Sequence, residues 1–145
     1  MRSDTYAWLT ALAIGLGTAS TACAADLDGD RPFLCAVAEI YECSLDEGCV
    51  DLSTDDVDLP AFIRVDFAGG ELGGVLDDGT TRASKALHKQ VLESKLLMQG
   101  VEQGYEGERD GSAWAIAVTQ DTKEMVLTSS TDESGFVVLG SCVQE

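Results

Sequence analysis

From Arg31 onward the chain runs in short stretches of alternating apolar and polar residues, separated by clusters of Gly, Asp, Ser and Thr. A period of two is the signature of half-buried strands, and the clusters are turn chemistry. The run FLCAVAEIYEC (residues 33–43) sets Phe33, Cys35, Val37 and Tyr41 on one face and Leu34, Ala36, Ala38 and Ile40 on the other. A helix starting at Pro32 is the alternative, because proline suits a first helical turn. The strand is preferred, since Cys43 must meet the hairpin-like loop that follows it. CVDL (49–52) reads as a short strand, and Ser53 can cap a helical turn carrying Asp55 and Asp56 near its positive end, stopped by Pro60. In AFIRVDF (61–67), Ile63, Val65 and Phe67 form an apolar inner face against Phe62, Arg64 and Asp66. Gly69-Gly70, Gly73-Gly74 and Asp78-Gly79 then supply turns around another short strand.

The segment TTRASKA (80–86) reads as a strand with Arg82 and Ser84 on one side. In ALHKQVLESKLLMQ, Leu87, Val91, Lys95 and Met98 sit near helical spacing and the residue types favour helix, while Leu97, Gln99 and Val101 fit a strand equally; the reading is an irregular or helical turn over 86–93 and a strand over 95–102. After the loop QGYEGERDG (103–111) the pattern is clearest: SAWAIAVT, EMVLTSS and FVVLGSC are three strands in succession joined by short polar loops. The whole predicts an all-β domain, an antiparallel meander that closes into a small barrel or sandwich of about seven strands. A barrel is the choice between them, because closure removes unpaired strand edges.

The N-terminal stretch has a different character. Residues 7–19 are apolar or small but too few for a transmembrane helix, which needs about 20. They fit the core of a secretory signal peptide over residues 1–25, with Arg2 at its positive end and cleavage after Ala24 or Ala25. The competing reading makes Ser20-Thr21-Ala22-Cys23 a lipoprotein box, with Cys23 lipidated and the leader ending before it. Residues 26–31 are then a polar lead, and 32–145 form a single β domain. Either processing route leaves Cys35, Cys43, Cys49 and Cys142 in an oxidising, periplasmic or extracellular space, where four cysteines suggest two disulfides. Cys43–Cys49 is favoured as a local clip around SLDEG, leaving Cys35–Cys142 to tie the start of the domain to its end.

Composition narrows the function classes. The net charge of −17 argues against nucleic acid, which demands clustered Lys and Arg, and against anionic lipid surfaces, so a membrane enters only through a lipid on Cys23. It favours solubility, or a cationic protein or peptide met by steering. His88, the only histidine, sits beside Lys89 on a polar segment and reads as a solvated side chain, with no G-x-S-x-G elbow to suggest a triad. Asp26, Asp28 and Asp30 begin like a calcium loop. The pattern then fails at Arg31, where a glycine is required, and at Val37, where a glutamate belongs, so they read as a solvated tail. Asp55, Asp56 and Asp58 are the other acidic cluster weighed for calcium, and no metal or cofactor is assigned. Trp114 reads as core, with an indole N–H in need of an acceptor. Of the scarce cations Arg64, Arg82 and Arg109, Arg82 is the best candidate for binding, together with Ser84, because polar segments carry sites more often than core strands do.

The order of features (leader, Cys-bearing first strand, AFIRVDF, LLMQGVE, SAWAIAVT, GFVVLGSC) resembles that of small uncharacterised exported β-domain proteins of proteobacteria, a group from which no activity can be carried over. The architecture is also similar, more distantly, to the periplasmic inhibitors of C-type lysozyme, small disulfide-tied β-barrels whose key loop holds a Ser-Gly motif followed by Arg-Tyr. DGTTRASK holds Arg82 and Ser84 without a tyrosine beside the arginine, so no inhibitory residue is transferred. The functional expectation is an exported, acidic, non-enzymatic binding or interaction module. An envelope-anchored structural lipoprotein and a hydrolase using Asp or Glu are the alternatives.

Overall fold

The structure, a computed structural model, describes residues 26–57, 59–102 and 111–145. The leader with Cys23, Asp58 and Arg109 lie outside the described residues. Nine strands follow one another: β1 (Phe33–Ser44), β2 (Gly48–Leu52), β3 (Phe62–Asp66), β4 (Glu71–Val75), β5 (Thr81–Leu92), β6 (Lys95–Val101), β7 (Ala113–Thr119), β8 (Glu124–Ser130) and β9 (Ser134–Gln144). All pairings are antiparallel, and β9 returns to pair with β1 along its whole length, from Phe33↔Gln144 to Ser44↔Ser134. The result is a closed barrel of eight strands with β2 as a ninth, so the expected count of about seven is low. The pairing branches at β1. Its first residues, Phe33–Ala36, pair with β3, while Ile40–Ser44 pair with β2 on the same side. One long strand thus serves two partners, which a local pattern does not reveal.

Two features depart from the period-two reading. A bulge in β1 between Val37 and Glu39 inserts Ala38 as an unpaired extra residue. It switches the inward face, so Phe33, Cys35 and then Ile40 are buried instead of Ile40 lying opposite them. In place of the expected irregular or helical turn over 86–93, β5 continues as a strand to Leu92. The helical look of ALHKQVLES arises because a second bulge, at Leu87, breaks the alternation. The tight turn after β5 has Glu93 at a positive φ of 54°. Tertiary pairing with β6 overrides the local propensity.

The interior is one apolar cluster including Phe33, Ile63, Val65, Leu96, Met98, Ile116, Val118, Met125, Leu127 and Val138, with β4 and β5 contributing only the partly buried Leu72 and Ala86 against it. Burying each of the larger side chains contributes about 1.5–3 kcal/mol. Two disulfides join residues that face each other directly across ladders. Cys35–Cys142 lies within the core between β1 and β9, and Cys43–Cys49 clips the β1–β2 hairpin. These are the two pairs favoured from the spacing of the cysteines.

The polar lead is not simply a solvated tail. Leu27 is 0% exposed and plugs one end of the barrel. Its carbonyl accepts a hydrogen bond from Gln120 Nε2 at 2.6 Å. Gly29, at φ +81°, lets the chain turn there, and a Cβ at this position would meet Phe67 at 3.0 Å. Lys89 completes the plug, with its ammonium 5.8 Å from the centre of the Phe67 ring and donating to the Phe67 carbonyl at 3.0 Å. Asp28 Oδ1 accepts from Asp30 N at 2.9 Å, so these aspartates shape the turn.

The two disulfides close loops of very different length, with sequence separations of 107 and 6. In the chain-entropy account, replacing Cys35 and Cys142 with Ala costs about 5 kcal/mol, before any cavity is counted, against about 2 kcal/mol for Cys43 and Cys49. Urea unfolding of the two double variants should rank them in that order.

Candidate functional site

Alternating connections in an up-and-down barrel fall at alternate ends. The β3–β4, β5–β6 and β7–β8 turns and the two ends of the domain lie at the end plugged by Leu27. The β4–β5, β6–β7 and β8–β9 connections and the segment linking β2 to β3 lie at the other. That end is open and contains a cavity of about 270 Å³. Its floor is Ile40, Ile63, Trp114, Leu127 and Val138, its walls include Val57, Leu59, Pro60, Leu72 and Phe136, and its mouth is Arg82, Ser84, Glu102, Ser112, Ser129 and Thr131. An apolar hollow with a few convergent polar groups is the default form of a binding site.

Arg82 and Ser84, singled out in the sequence, both line this cavity, from consecutive inward positions of β5. They play different parts. Ser84 Oγ accepts the indole N–H of Trp114 at 2.8 Å, supplying the acceptor that this buried ring needs. Trp114 faces Gly100 across the β6–β7 ladder, and a Cβ on Gly100 would lie 2.3 Å from Trp114 Cζ2. The missing side chain is therefore the space in which the ring lies. Glycine and serine together hold the tryptophan in one orientation as the cavity floor. Arg82 reaches Glu102 at 4.0 Å, an ion pair too long for a hydrogen bond and partly exposed on both sides. Its guanidinium makes no hydrogen bond to the described residues, which leaves its donors free to meet a guest.

Among the described loops around the mouth, the β4–β5 and β8–β9 turns are short and internally bonded. In the β4–β5 turn, Leu76 N donates to Thr80 O at 2.8 Å and Thr80 N to Asp78 Oδ1 at 2.7 Å. In the β8–β9 turn, Thr131 N donates to Ser134 O at 2.9 Å, and Ser134 N returns a bond to Thr131 Oγ1 at 3.1 Å. Between β2 and β3, Thr54–Asp56 form a 3-10 turn in which Asp56 Oδ2 accepts from both Ser53 N at 2.9 Å and Ser53 Oγ at 2.6 Å. This confirms Ser53 at the start of a helical turn and gives Asp56 a structural task. Those bonds from Ser53 hold the Asp56 carboxyl below the usual aspartate range, and the bonds from Thr80 do the same for Asp78.

These loops make the open end more uniformly acidic than the plugged end, where carboxylates such as Asp28, Glu93, Asp121 and Glu124 are mixed with cations. Around the open end, Asp55, Asp56, Asp77, Asp78, Glu102, Asp132 and Glu133 are all exposed, and Arg82 is the cation among the described residues there. The remaining described cations, Arg31, Arg64, Lys85, Lys89, Lys95 and Lys123, lie on the wall or towards the plugged end. Arg64 is occupied there with Glu145 at 3.2 Å, a surface pair worth at most about 1 kcal/mol. His88 is exposed on the outer wall beside the β5 bulge, away from the cavity. No group of three potential metal ligands is gathered among the described residues.

Sequence reasoning missed most of the cavity. Phe136, Leu127 and Val138 read as ordinary strand residues, and Glu102 as the end of a strand. The usable signal was the pair Ser84 and Ser129, small hydroxyls at inward positions where a filled barrel would carry Leu or Val. No protein-family model, no curated protein and no solved structure matches the chain.

Two outcomes follow from this geometry. Ser84→Ala leaves the Trp114 N–H without its acceptor and should cost about 1–3 kcal/mol in urea unfolding, with Ser84→Thr recovering most of it. Carboxyl NMR titration should find Asp56 and Asp78 protonating below the ordinary aspartate value of about 3.9. A lowered folded-state pKa adds stability above the unfolded value, so their contribution is lost as pH falls through the lowered pKa.

Proposed function

We propose that the protein is an exported, acidic, non-enzymatic binding module whose open barrel end engages a cationic protein or peptide. The observation that carries this reading is the uneven mix of charge: exposed carboxylates ring the open, apolar cavity with Arg82 as the cation among the described residues there, while at the plugged end carboxylates are interspersed with the other described cations. A field of one sign over a concave apolar site attracts an oppositely charged partner and orients it mouth-first. The pre-bonded β4–β5 and β8–β9 turns favour binding because little ordering of them is left to do on contact. Export is supported by the two disulfides, which persist in oxidising compartments.

The alternatives have less support. Glu102 is the one carboxylate among the described residues lining the cavity, whereas carboxylate-based glycoside cleavage uses a pair flanking the bond. An envelope-anchored lipoprotein turns on Cys23, outside the described residues, and is separated by mass spectrometry of the mature chain, which reports cleavage site and lipid together.

Titration with a basic protein such as lysozyme tests the main reading. Binding should be measurable at low ionic strength and fall steeply with added salt, as screening shortens the reach of surface charge to about 8 Å at 0.15 M. Neutralising Asp77, Asp78, Asp132 and Glu133 to Asn or Gln should weaken low-salt binding by about tenfold or more. The same number of changes at the plugged end, at Asp28, Glu93, Asp121 and Glu124, should alter it by less than about threefold. No complex at low salt, or equal effects at both ends, defeats the proposal.

A further inference from the structure

The two barrel ends are finished differently by the same chain. One is filled to 0% exposure by Leu27 and roofed by Phe67 and Lys89. The other keeps a hollow in which β5 and β8 present Ser84 and Ser129 inward instead of bulky apolar residues. We propose that this hollow is a binding site for one bulky aromatic group, seated against Trp114 and Phe136. Its volume, about 270 Å³, exceeds the roughly 150 Å³ apolar hole that takes up benzene and is just short of the pockets, about 300–1,000 Å³, that take drug-sized ligands. The guest that matches is one- or two-ringed, about the size of an indole.

The lining supports an aromatic guest over a flexible aliphatic one. Trp114 is held by Ser84 and Gly100, so its face is offered without any loss of rotamer freedom on binding. Phe136 lines the same hollow, and two rings at one site allow the offset or edge-to-face contacts that aromatic groups prefer. At the mouth, Arg82 and Glu102 are only loosely paired at 4.0 Å, so an indole N–H or a phenol can bond to Glu102, or a ring can stack under Arg82, without breaking a tight contact. This deepens the reading above, on which it rests only for the source of the group: there, the aromatic is a side chain of the basic partner.

The test uses the disulfide-intact mature protein and free indole at high salt, where the acidic loops are screened. Methyl NMR should show saturable shifts at Ile40, Ile63, Leu127 and Val138 with a dissociation constant of about 1 mM or tighter. Ser129→Phe, which fills the mouth, should weaken indole binding at least about tenfold at an unchanged melting profile. If that variant does not fold, the wild-type map of shifted methyls decides alone. No saturable shift, or shifts confined to outer-wall residues such as Val126, overturns the site even if basic proteins bind through the loops. Two basic peptides differing only by Trp or Ala then identify the source at low salt. A tenfold preference for the Trp peptide supports a side-chain anchor. Equal peptide affinities with indole bound overturn the anchor and assign the site to a free aromatic molecule. Indole binding without any peptide binding overturns the cationic-partner reading and leaves the site standing.

Discussion

The pairing of the first strand with the last is the contact on which the rest of the structure depends. β1 and β9 run side by side over their full lengths, and Cys35–Cys142 sits inside that seam, buried in the core. Opening the seam would expose two long strand edges and turn the closed interior into one face of a curved sheet. It would also separate Phe33 and Val138 from their neighbours across the barrel. Because the bridged cysteines within it are 107 apart, the seam is the least local strand pairing in the fold and the one whose closure entropy is greatest. A covalent link there acts at the point where the sheet would otherwise open first.

The charge of the chain makes this seam more consequential. A net charge of −17 repels itself in any compact state. The fold tolerates it by spreading carboxylates over turns and outer faces and by gathering most described cations on the wall and at the plugged end, where Leu27 and Gln120 tie the lead to the barrel and Lys89 bonds the Phe67 carbonyl. Among the described residues, the open end has its acidic loops and no apolar plug. Stability is thus concentrated on the seam and the plug, and the unfilled volume and unbalanced charge coincide at the opposite end. Binding surfaces commonly sit on loops carried by a rigid scaffold, and here the β4–β5 and β8–β9 turns are held by their own hydrogen bonds.

Trp114 links this arrangement to the candidate site. Its ring lies where Gly100 has no side chain, and its N–H is satisfied by Ser84 on the next strand but one. Three strands therefore cooperate to hold one side chain, and that side chain is both core and cavity floor. The need of Trp114 for an acceptor was readable from its type and its alternating context. The identity of the acceptor was not, because β5 meets β7 only through β6, with a bulge at Leu87 in between that sets which residues face inward.

The amino-acid sequence alone determined the class of the fold, its final meander and the excess of acid, and it favoured one disulfide pairing of three without fixing it, because alternation, turn chemistry and composition are local properties whereas cysteine pairing is not. Arg82 and Ser84 could be marked as candidates on the same local grounds. Only the tertiary structure decided that β1 serves two partners, that bulges at Ala38 and Leu87 reverse the inward faces, that Leu27 is a plug and that the mouth is ringed by carboxylates from separate loops. The reason is physical. A strand carries its two faces in its own sequence, but which face is inside, and what it meets there, is set by register with neighbours far along the chain.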